Sequence, residues 1–347
     1  MKSFTSITLL LLFAGCNNSS NVNSNTMQIA PPSDSVTGKI EWYDSRAANI
    51  IDSNATIEVI GKGYNWSEGP VWVKESKMLL FSDVPENKIY QWKVGDTPHV
   101  FLMPAGYTGS SPKMGEIGSN GLALDNIGRL LLCQSGNRQV ARMNAPLTAP
   151  KPDYIALAAN YKGKRFNSPN DLVVDSKNNI YFTDPVYGLP KGANDLMREL
   201  PFEGVYKISA DGQLSLLIDT ISRPNGIVFS PDEHTLYIAS SDEQKPAWYA
   251  YQLDNNGNIK SGGVLLNALP LKQKATQKQG PDGMKIDKHG NIFGAGPDGI
   301  NIISPEGKLL GLIKVYNRFT SNCSFSASKD TLYVTADDVV LRIKLKK

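Results

Sequence analysis

Apolar and polar positions along the chain repeat one phrase six times: a polar residue, a β-rich apolar run, a short polar turn, then a second apolar run. Glu68-Gly-Pro-Val-Trp72 leads to Met78-Leu-Leu-Phe-Ser-Asp83, and Asn120-Gly-Leu-Ala-Leu-Asp125 leads to Arg129-Leu-Leu-Leu-Cys133. The next copies start at Asn170, Asn225 and Asp282, and the last at Ser321. The intervals are 52, 50, 55, 57 and about 39 residues, and each of the first five has room for about four strands. Further strand-like runs fall between the copies, at 88–93, 204–208, 248–253 and 299–303. β-branched and aromatic residues bounded by Asp, Asn and Gly predict strands joined by hairpins, and no long amphipathic helix is visible. This predicts an all-β chain folded as a six-bladed β-propeller. The sixth copy ends a few residues past its second strand. A spare strand at 56–61, ahead of the first copy, is predicted to complete that blade and close the ring.

Length changes little: 347 residues alone suggest about two domains, but six repeats of about 50 residues use up the chain as one. With 41% hydrophobic and 20% charged residues the composition is that of a globular protein, which excludes a disordered or collagen-like chain. The formal charge of +3 is too balanced to predict a field for nucleic acid or a membrane surface, which leaves small neutral or weakly anionic partners open.

The first residues have a separate purpose. A short basic start and an apolar run at 7–14, too short to span a bilayer, read as a secretory signal. The run ends Leu12-Phe13-Ala14-Gly15-Cys16, which resembles a bacterial lipobox. It predicts a signal peptide over 1–15, lipidation of Cys16, a flexible Asn- and Ser-rich tether over 16–40 and a propeller over 41–347. The expected location is the periplasmic side of the envelope at the outer membrane, with the lipid as the sole membrane contact. Cys133 and Cys323 are expected as buried strand thiols.

In a propeller, residues at one repeat position form a ring at one end of the central channel. Here the ring reads Glu68, Asn120, Asn170, Asn225, Asp282 and Ser321 or Asn322, all oxygen-bearing. Two carboxylates facing each other in a narrow channel repel, and a hard dication removes the conflict. Calcium is favoured. Zinc is not, because the three histidines, His99, His234 and His289, lack metal-ligand spacing. Gly294-Ala-Gly-Pro-Asp-Gly299 fits a dinucleotide-binding pattern but leads into a strand, so it reads as a hairpin turn. No nucleophile elbow or P-loop occurs.

Several motifs occur in order: Trp66-Ser-Glu-Gly-Pro-Val-Trp72, Ser119-Asn-Gly-Leu-Ala-Leu-Asp125, Gly136-Asn-Arg138, Phe166-Asn-Ser-Pro-Asn-Asp171, Phe182-Thr-Asp-Pro-Val-Tyr-Gly188, Pro224-Asn-Gly226 and Pro281-Asp-Gly283. With these the chain resembles the gluconolactonase and senescence-marker-protein family of six-bladed propeller lactonases. The resemblance implies that Glu68, Asn170, Asn225 and Asp282 hold a divalent metal, and that Asn120, Arg165 and Asn167 contact substrate. Gln134-Ser135 stands where the family often has Glu-His, a departure that bears on substrate identity. The chemistry implied is hydrolysis of a sugar lactone: the metal polarises the carbonyl, and a carboxylate, with Asp282 the candidate base, or a metal-bound water supplies hydroxide. Two other functions fit the same ring, a phosphotriesterase-like hydrolase and a non-catalytic envelope propeller that binds a partner. The long connections 106–118 and 189–202 are expected either to border the pocket or to be plain surface loops. Lys272, Lys274 and Lys278 are read as a solvated loop, with attraction of an anionic sugar acid as the alternative.

Overall fold

The computed structural model describes residues 37–111 and 115–346. The signal segment, Cys16 and most of the expected tether lie outside the described residues. Six antiparallel sheets form the blades. Their inner strands are Ser67–Val73, Ser119–Leu124, Leu172–Val174, Pro224–Phe229, Met284–Ile286 and Thr320–Phe325. These six touch one another in cyclic order, with the sixth returning to the first, so the ring is closed around a central axis.

Closure uses the spare strand. Ile57–Lys62 pairs antiparallel with Val339–Lys344, with Ile57 opposite Ile343 and Lys62 opposite Val339, and becomes the outer strand of blade 6. A second upstream strand, Gly38–Trp42, adds a fifth strand to blade 5, with Gly38 opposite Val315 and Trp42 opposite Gly311. It begins inside the stretch expected to be tether. Ile40, Ala47, Ile51 and Ile57 all enter the core between blades 5 and 6, which explains why this segment is ordered against the ring.

In three blades, the second, third and fifth, an Asp at the end of the inner strand clasps the hairpin. Asp125 Oδ1 accepts from the backbone N–H of Ile127 and Arg129 at 3.1 and 2.8 Å, and Asp175 Oδ1 from Lys177 and Asn179 at 3.0 and 2.7 Å. Asp287 repeats the pattern on His289 and Asn291 at 2.7 and 2.9 Å. These are side-chain-capped turns that the repeat carries from blade to blade. Cys133 and Cys323 are buried free thiols, as expected. The one α-helix among the described residues, Leu269–Lys274, follows the outer strand of blade 4.

Candidate functional site

The inner strands approach closely because the residue after the ring position is glycine in four blades. Gly69 has φ +52°, and a Cβ there would lie 2.1 Å from the Asn120 carbonyl oxygen; at Gly226 it would lie 2.4 Å from the Asp282 carbonyl oxygen. The remaining two blades place Asp171 and Asn322 at this level, where Asn322 Nδ2 donates to Asp171 Oδ2 at 3.4 Å. Together they plug the axis beneath the ring. Ser321 Oγ is spent on the Ser67 carbonyl at 2.6 Å and Thr335 Oγ1 at 2.8 Å, tying blade 6 to blade 1. Neither Ser321 nor Asn322 therefore completes the oxygen ring; the first is a clasp and the second lies one level down.

Glu68, Asn120, Asn170, Asn225 and Asp282 converge on one cavity of about 330 Å³. Hydrogen bonds hold three of them. Gly69 N–H donates to Glu68 Oε2 at 2.7 Å, Asn322 hydrogen-bonds the same carboxylate, and Gly283 N–H donates to Asp282 Oδ1 at 2.9 Å. Asn225 Nδ2 donates to Ser241 Oγ at 2.9 Å, and Ser241 donates to the Pro281 carbonyl at 2.6 Å, so the amide is turned with Oδ1 free to accept. Asn120 Oδ1 is buried with no hydrogen-bond donor.

Withdrawal from water pushes Glu68 up to about 8, and Asp282 is raised well above the usual carboxylate range by burial and then by the charge of Glu68. The cavity's cations do little to offset this, since Lys272 and Arg223 are engaged by Glu243 at 2.9 and 4.0 Å. Two carboxylates and three amide oxygens, one of them an orphaned buried acceptor, with no nitrogen or sulfur donor in the ring, fit a hard oxygen-seeking dication such as calcium. Among the described residues, no three His, Cys, Asp or Glu side chains come together closely enough to hold an ion by themselves, so the amide oxygens are needed to complete a ligand set.

The sign of a pH effect follows. Because both proton affinities are raised by folding, the metal-free folded chain holds more protons at these groups than the unfolded chain, and its stability falls as pH rises from about 4.5 towards about 8. The limit is about 1.4 kcal/mol per pH unit for each titrating proton. Urea midpoints measured with chelator are expected to drop across this window, and excess calcium to flatten the decline; a midpoint that rises with pH in chelator would contradict the assignment.

Arg165 and Asn167 do not line this cavity. Asn167 is fully buried: its N–H donates to Asp184 Oδ2 at 2.8 Å and its Nδ2 to the Phe202 carbonyl at 2.9 Å. Ser168 N–H donates to Asp184 Oδ1 at 2.8 Å. Asn167 thus anchors the loop that delivers Asn170, with its Oδ1 buried and without a donor. Arg165 is exposed on the two-stranded ribbon formed by Asn160–Tyr161 and Lys164–Arg165, with its guanidinium on the Asn137 carbonyl at 3.0 Å. Lys272 and Lys278 line the cavity, whereas Lys274 does not. Glu116, Tyr187, Arg223 and Phe319 also line it. Trp66 and Tyr187 were visible inside motifs. Glu116 sits in a connection with no counterpart in other blades, so no repeat could signal it.

Six blades around one axis, with an oxygen-rich cavity where the inner strands begin, place the chain in the class of six-bladed propellers with an axial cavity. Residues 66–338 match the SMP-30/gluconolactonase/LRE-like region, and the chain belongs to this family. It is 40% identical over 319 residues to a gluconolactonase of Zymomonas mobilis, covering 90% of this chain and 87% of that protein. A solved gluconolactonase from Xanthomonas campestris superposes with a TM-score of 0.76 at 27% identity, covering 91% of this chain and 99% of that one. A regucalcin from Agrobacterium tumefaciens, described as a calcium-binding protein, shares the fold with a TM-score of 0.65 at 17% identity, covering 84% and 95% of the two chains.

Proposed function

We propose that this lactonase opens a sugar lactone by hydrolysis with a calcium ion held by Glu68, Asn170, Asn225 and Asp282. The observation that carries the reading is the convergence of these four side chains, two of them carboxylates of raised proton affinity, on one cavity. When bound, the ion supplies positive charge that polarises the ester carbonyl and stabilises the negative oxygen that develops there. Asp282 acts at its second carboxylate oxygen, since Gly283 N–H occupies Oδ1. That oxygen takes a proton from the attacking water as the new C–O bond forms. The proton passes to the ring oxygen as the ring C–O bond breaks, giving a hydroxy acid. Ser241 keeps Asn225 oriented throughout, and Asn120 Oδ1 is free to accept from substrate.

Location belongs to the same proposal: a lipid on Cys16 tethers the enzyme to the periplasmic face of the bacterial envelope. Incorporation of labelled fatty acid into the wild type but not into Cys16→Ser tests it.

The direct test of function is hydrolysis of glucono-1,5-lactone by the purified chain. Activity is expected to disappear with a calcium chelator and return with added calcium. Full turnover in metal-free buffer would refute the mechanism.

A further inference from the structure

Four carboxylates line the cavity. Glu68 and Asp282 belong to the ring, and Glu243 is engaged by Lys272 and Arg223. Glu116 is the fourth and has no such assignment. It stands just ahead of the strand Ser119–Leu124, and its Oε2 is shut off from bulk water without a hydrogen-bond donor. Asn120, four residues on and lining the same cavity, has its Oδ1 in the same condition. Glu116 also forms no three-residue ion-holding group with Glu68 and Asp282. Two acceptors withdrawn from water and left without donors are costly, and a ligand that brings donors recovers that cost. Trp66, Tyr187 and Phe319 add aromatic faces to the cavity, suited to the C–H side of a sugar ring.

We propose that Glu116 is a specificity-determining residue which, with Asn120, accepts hydrogen bonds from substrate hydroxyl groups, so that the cavity selects a polyhydroxylated lactone over one with bare ring carbons. The inference rests on the lactonase reading above and extends it to a residue outside the ring. A site built to pair with substrate hydroxyls discriminates strongly against an analogue that lacks them. A phosphotriester brings acceptors and no donors, and would leave both oxygens unpaired.

The test compares the calcium-loaded full chain with E116Q and E116A on a matched pair, glucono-1,5-lactone and the hydroxyl-free δ-valerolactone. The ratio of kcat/KM for the two substrates is expected to fall about 10- to 100-fold in E116Q, chiefly through KM for the hydroxylated lactone. E116A is expected to fall at least as far. Calorimetry on the same proteins measures calcium affinity and binding of gluconate against pentanoate. An unchanged ratio in both variants overturns the inference. Equal losses on both lactones together with weakened calcium binding also overturn it, by making Glu116 a servant of the metal. If the wild type hydrolyses neither lactone yet binds gluconate over pentanoate in a Glu116-dependent way, hydroxyl recognition stands and the lactonase reading fails. Absence of that preference as well ends both.

Discussion

Asp282→Asn is expected to lower lactone turnover by about 10²- to 10⁴-fold, the range a positioned general base contributes, while leaving the propeller folded. The substitution is nearly isosteric and keeps an oxygen for Gly283 N–H, which donates at 2.9 Å in the parent chain. What it removes is the proton acceptor and one of the two ring charges. Glu68→Gln removes the other, keeps an acceptor for Gly69 N–H, and is expected to act mainly through calcium affinity, since charge count sets the strength of such sites. In chelator near neutral pH the two variants are expected to melt higher than the wild type, because each removes a carboxyl group whose withdrawal from water as a charge is costly. Calcium calorimetry, steady-state kinetics and thermal melts on the same preparations separate these effects. An Asp282→Asn enzyme with wild-type turnover would remove Asp282 from the chemistry.

Truncation ahead of residue 63 is expected to abolish stable folding, whereas truncation ahead of residue 44 costs much less. The longer deletion removes Ile57–Lys62, exposes the Val339–Lys344 edge and opens blade 6. It also removes Ile57 from the core, the bulged ladder from Ile57 to Lys62, and the Glu58 carboxylate that Arg342 Nε meets at 2.8 Å. Burial of an isoleucine is worth about 1.5–3 kcal/mol, and with the lost ladder the total approaches the whole stability of a typical domain, about 5–15 kcal/mol. The shorter deletion takes away the fifth strand of a sheet that retains four, and with it one core side chain, Ile40. Soluble yield and denaturant midpoints of the two truncations measure the difference. Similar midpoints would show that the ring does not depend on its closing strand.

Much of this architecture was legible before any coordinates, because blade structure is a local property written repeatedly. Apolar runs rich in β-branched and aromatic residues, polar turns between them and a spacing of about 50 residues sufficed to predict six blades, the closing strand and the axial ring. Glu68, Asn120, Asn170, Asn225 and Asp282 were found together because a shared repeat position implies a shared place around the axis, and the structure sets them on one cavity.

Long-range packing decided the rest. Asn167 belongs to a family motif, yet Asp184, on the next strand, turns it inward as an anchor for the Asn170 loop. Ser321 and Asn322 were interchangeable by position, until Ser67 and Thr335 claimed the first and Asp171 met the second. Gly38–Trp42 has too little pattern to announce a strand, and becomes one through the free edge of Leu309–Val315. Glu116 reaches the cavity from an irregular connection whose path depends on neighbouring blades. Sequence alone determined the ring, because repetition carries symmetry along the chain; tertiary structure decided which side chains turn into the cavity, because that depends on partners distant in the chain.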